Sequence, residues 1–180
     1  MSHSVAGEPP SAGRRAAPST TAAYSTVEWD LLTGLPGQVV VAATTRPGRD
    51  RQSVQESVAG LEAVAAGRAF DSDLVRAVAA AIYARHDDES PVPAGCGRGD
   101  LAQLLSTCRI AVGVLARRAD PADSAAYRQW VQSVAARVCQ VVPTDRQPDV
   151  VTVDRLAGVG GVQPADRRFL ALLGGALGLR

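Results

Sequence analysis

DLAQLLSTCRIAVGVLARRADPADSAAYRQWVQSVAARV, residues 100–138, holds the strongest periodic signal in the chain. Leu101, Leu104, Leu105, Cys108, Val112 and Leu115 recur at steps of three and four, which places them on one face of a helix. Asp100 stands just before them, where a carboxylate can accept one of the N–H groups that a helix start leaves without a partner. Arg117 and Arg118 fall in the last turn, against the negative end of the helix dipole. Asp120-Pro121 then supplies a cap and a first-turn proline, with Asp123 at the third position, and Tyr127, Trp130, Val131, Val134 and Val138 form a second stripe. So short a link between two apolar stripes predicts a tight helical hairpin.

Helical rhythm continues on the N-terminal side. Ser25 and Glu28 have the spacing of a capping box, and Val27, Trp29, Leu31 and Leu32 follow. Gly34 and Pro36 interrupt that pattern. Pro36 suits the first turn of a successor carrying Val39, Val40, Ala42 and Ala43 to about Thr45, so two short helices or one kinked helix are expected. RPGRD at 46–50 is turn chemistry. Ser53 and Glu56 have the spacing of another capping box, ahead of a stripe of Val54, Val58, Leu61 and Val64 that Gly67 ends. Asp71 is placed to cap the next helix, in which Leu74, Val75, Val78, Ile82 and Tyr83 share a face to about His86. The stretch 86–99, HDDESPVPAGCGRG, has no periodic signal and reads as a loop.

On the C-terminal side the helical signal fails between Val141 and Val162, where Val150, Val151 and Val153 suit a short extended segment. A last helix from Pro164 to about Leu179 carries Phe169, Leu170, Leu172, Leu173, Ala176 and Leu177. Residues 1–24 are rich in Ser, Ala, Pro, Gly and Thr, with too little apolar surface to offset the entropy of ordering, and read as a disordered tail. The expected architecture is all-α: a single compact bundle of about six or seven helices over 25–180 behind that tail.

A chain of 180 residues, 46% of them hydrophobic, is long enough to bury one sizeable core. All 19 basic residues are Arg, with neither Lys nor Asn present, a bias expected of a GC-rich bacterial genome. A net charge of +1 offers no large field for nucleic acid or an anionic membrane, so neither is an expected partner. Cys96, Cys108 and Cys139 are odd in number and form no CxxC pair, which fits a reducing cytoplasm better than a disulfide framework. Arg14-Arg15 resembles a twin-arginine signal, but AAPSTTAAYST follows where an apolar run of roughly seven to fifteen residues belongs. No run of about eighteen apolar residues is present to span a bilayer.

Several stretches invite a chemical reading. GVGGVQPADRRF, residues 158–169, sets glycines before a helix, the usual place for a bound phosphate. However, the chain has no Lys for a Walker loop, Pro164 removes a donor, and Asp166 adds negative charge to the first turn. Gly158, Gly160 and Gly161 follow no convincing strand, so the loop reads as a hinge. His86-Asp87-Asp88-Glu89, with Cys96 nearby, is the best local group of metal ligands, yet it lacks both tetrahedral pair spacing and the twelve-position calcium-loop pattern. Cys108 and Cys139 fall on apolar faces, His86 is the sole credible base, and no GxSxG elbow occurs. Trp29 and Trp130 read as packing residues. No catalytic residue, cofactor-binding residue, metal ligand or cofactor is therefore assigned.

From VEWDLLTGLPGQVVVAATT to GVGGVQPADRRFLALLGGALGL the chain resembles uncharacterised bacterial helical proteins and, more distantly, the TerB-like tellurite-resistance fold. That resemblance implies an all-helical domain over roughly 26–180, with acidic residues at helix starts associated with metal binding. Asp120 and Asp123 are the nearest acidic pair, and the chain has Val159-Gly160-Gly161 where that fold would place an acidic residue and glycine. The expected function is that of a non-enzymatic cytoplasmic interaction or accessory protein, with a protein partner or a second copy of the chain. The alternative is a metal-binding stress-response protein of the TerB-like type using the 86–89 stretch.

Overall fold

The computed structural model describes residues 20–45, 54–87, 100–140 and 163–179. Among them are six α-helices: α1 (Thr26–Thr44), α2 (Val54–Ala65), α3 (Asp73–Asp87), α4 (Leu101–Arg118), α5 (Pro121–Gln140) and α6 (Pro164–Ala176). Single turns of 3-10 helix at Thr20–Ala23 and Ala66–Ala69 precede α1 and α3. No strand occurs among the described residues, and the fold is an all-α bundle. The expected tail up to residue 19, the 88–99 loop, the Val150–Val153 segment and the 158–162 glycines lie outside the described residues.

α5 is the central helix and touches all five others, while α1 packs on α2, α3, α4 and α5. From α5, Tyr127, Trp130, Val131, Val134, Ala135 and Val138 enter the core, meeting Leu32, Leu35, Val39 and Ala43 of α1. The α4 and α5 hairpin forms as its caps predict. Asp100 accepts the Ala102 N–H at 3.0 Å, and Asp120 accepts the Ala122 N–H at 2.8 Å. Leu104, Cys108 and Leu115 are buried, and Leu101, Leu105 and Val112 pack partly buried against the same core.

α1 starts at the expected capping box. The Glu28 N–H donates to Ser25 Oγ at 3.2 Å and the Ser25 N–H donates to Glu28 Oε2 at 3.0 Å. It does not break at Pro36, which lies inside one continuous 19-residue helix. A proline there deprives the Leu32 carbonyl, four residues earlier, of its intrahelical donor. The Tyr127 hydroxyl of α5 supplies the missing donor, reaching the Leu32 oxygen at 2.7 Å in the core. Of the two expected forms, the single helix through the proline is the one found, and the tertiary hydrogen bond satisfies a carbonyl that would otherwise be buried alone.

α2 is rotated about its axis relative to its apolar pattern. Val64 is buried as expected, but Val54, Val58 and Leu61 face outward, and Glu56, Gly60 and Gly67 point into the bundle. The reason is close approach. A Cβ built on Gly60 would lie 2.7 Å from a Val40 methyl, and one on Gly67 would lie 2.7 Å from the Trp130 ring. Small residues let α2 sit close to α1 and α5, which larger side chains on that face would prevent. Trp130 Nε1 donates to the Ala63 carbonyl at 3.3 Å and fixes the same contact. α2 ends at Ala65, close to the Gly67 expected to end it, and Gly67 is a packing site within the 3-10 turn that follows.

α3 begins one residue later than Asp71 would have placed it, because Ser72 provides the cap: its hydroxyl accepts the Val75 N–H at 3.2 Å. The same hydroxyl donates to Asp123 Oδ1 at 2.6 Å, joining the start of α3 to the first turn of α5. Leu74, Val75 and Val78 are buried, with Ile82 and Tyr83 partly buried against the core.

Candidate functional site

Each residue type singled out for chemistry has a structural environment that bears on what it can do. Cys108 is fully buried on α4, and burial pushes its thiol up to about 11, with Arg109 pulling weakly the other way. A thiol so displaced is protonated near neutral pH, and the protonated form is a poor nucleophile and metal ligand. Cys139 is also buried, and neither cysteine is in a disulfide. Cys96 lies outside the described residues.

The acidic residues at helix starts are occupied by the backbone and by neighbours. Asp120 is the α5 cap, and Asp123 accepts the Ser72 hydroxyl. Asp100 caps α4. Of the 86–89 group, His86 and Asp87 form the last turn of α3, and Asp88 and Glu89 lie outside the described residues. Among the described residues, no three of His, Cys, Asp and Glu gather into a group able to hold a metal ion. Asp166, which closes the glycine-loop motif, is buried at the third position of α6 and engaged with neighbouring groups.

The charged junction at the start of α1 is built from the same capping logic. Glu28 is ion-paired with two arginines at the end of α4, Arg118 at 3.6 Å and Arg117 at 3.8 Å. The Ser25 backbone N–H, the Ser25 hydroxyl side and these two guanidinium groups hold its carboxyl below the ordinary carboxylate value. Here the positive end of the α1 dipole meets an acid, and the negative end of the α4 dipole meets two cations. This arrangement ties two helix ends together. Tyr24 stacks at a tilt on Trp29, 6.0 Å between ring centroids, and covers the entrance to α1. Trp29 is partly buried there and Trp130 wholly so, which is the environment of packing residues.

Two features escaped the sequence reading. Glu56, expected in a capping box with Ser53, has only 1% of its surface exposed and is engaged with neighbouring groups, while Ser53 is outside the described residues. A row of small residues on its face, Gly60, Ala63 and Gly67 at helical steps from Glu56, was the available signal. The second is the face opposite. Val54, Val58 and Leu61, spaced four and then three residues apart, stand 77%, 45% and 55% exposed along the outside of α2. The outward stripe is held in place: Tyr83 of α3 donates from its hydroxyl to the Leu61 carbonyl at 3.1 Å, and Arg68 lies 4.0 Å above the Tyr83 ring. Val27, Ile110 and Leu172 are exposed singly on other helices.

Among the described residues no helix is long and apolar enough to cross a membrane. No protein-family model, no curated protein and no solved structure matches the chain, so its own geometry is the basis for a functional reading.

Proposed function

We propose that this chain is a non-enzymatic interaction protein that presents a helical surface, with the outward stripe of α2 as its contact face. The observation that carries this reading is the exposure of Val54, Val58 and Leu61 in helical register on a helix whose other face is anchored in the core. Three apolar side chains aligned this way resemble the anchors of an amphipathic helix laid against a partner. Covering what remains exposed of each is worth on the order of 1 kcal/mol. The buried free thiols Cys108 and Cys139 support a reducing, cytoplasmic setting for that interaction.

The test compares the wild-type chain with a Val58→Glu, Leu61→Glu double variant, each checked for helicity by circular dichroism. Light scattering behind size exclusion reads self-association, and quantitative capture from the native cells reads association with other proteins. The expected result is a complex, of either kind, that weakens at least tenfold when both carboxylates are introduced while the fold stays intact. A chain that remains monomeric at high concentration, with captured proteins indifferent to the double substitution, refutes the proposal.

A further inference from the structure

We draw no further inference here: the strongest candidate, the nature of the partner seated on the Val54, Val58 and Leu61 stripe of α2, belongs to the face already proposed, and nothing in the structure shows what covers it.

Discussion

Replacing Tyr127 by Phe removes one oxygen from the centre of the bundle, and Pro36 determines how much that costs. The edge-to-face contact with Trp130, 5.8 Å between ring centroids, survives the change. The 2.7 Å bond to the Leu32 carbonyl does not. In an ordinary helix that carbonyl would keep its intrahelical donor and the loss would be mild. With proline at position 36 it becomes a buried acceptor with neither donor, at a cost of about 1–3 kcal/mol. We expect Tyr127→Phe to lower the unfolding free energy by about 2 kcal/mol. Pro36→Ala restores an N–H at position 36, and in that background the same Tyr127→Phe change is expected to cost about 0.5–1 kcal/mol. The void left by the buried proline ring enters both arms of the double-mutant cycle and cancels from the coupling. Urea unfolding followed by circular dichroism measures all four proteins, and unchanged slopes against denaturant keep the comparison valid. Costs that add to within about 0.3 kcal/mol would show that the tyrosine hydroxyl does not stand in for the missing donor.

Three other outcomes follow from the packing and the charges. Gly67→Ala places a Cβ 2.7 Å from the Trp130 ring and is expected to cost about 1–3 kcal/mol, whereas Gly37→Ala, in α1 with open space around it, is expected to gain about 0.5–1 kcal/mol; thermal melts that rank them the other way contradict the close approach of α2. Glu28 has its carboxyl held below the ordinary value of 4.5 in the folded chain, so the unfolded state binds more protons as acid is added. Its stabilising contribution is whole above that value and is lost as pH falls through the folded value, so Glu28→Gln should flatten the decline of the urea midpoint in that window, and parallel declines count against the assignment. Cys108, with its thiol at about 11, should resist alkylation at mildly basic pH in the native chain and react once urea unfolds it, as read by peptide mass mapping; rapid native labelling would place it nearer solvent.

Local signals in the sequence were followed where the structure had no stronger alternative. The Ser25–Glu28 box, the Asp100 and Asp120 caps and the apolar face of α4 are satisfied within a few residues along the chain, so they are legible without knowledge of the rest. At Pro36 the sequence leaves two short helices or one kinked helix open, because the donor that lets a single helix run through lies on α5 and no local pattern discloses a hydroxyl brought in from Tyr127. α2 was turned the wrong way for a related reason: apolar spacing identified the helix, but the depth to which Gly60 and Gly67 let it sink chose the buried face. Ser72 displaced Asp71 as a cap because only the serine sits where its hydroxyl can serve both Val75 and Asp123. At the candidate site, the apolar settings of Cys108 and Cys139 and the capping role of Asp120 are legible in the sequence, while the exposed stripe of α2 is not, since apolar spacing alone places the same three side chains in the core.

The Ser72 hydroxyl has a further implication for how the bundle loosens. It caps α3 and at the same time holds Asp123, so one small group closes the opening turns of two helices whose sequences begin far apart. Fraying at either start removes a partner from the other, so exchange of the Val75 amide is expected to quicken when Asp123 is replaced by Ala. A contact shared in this way lets the ordering of one helix start favour the ordering of its neighbour.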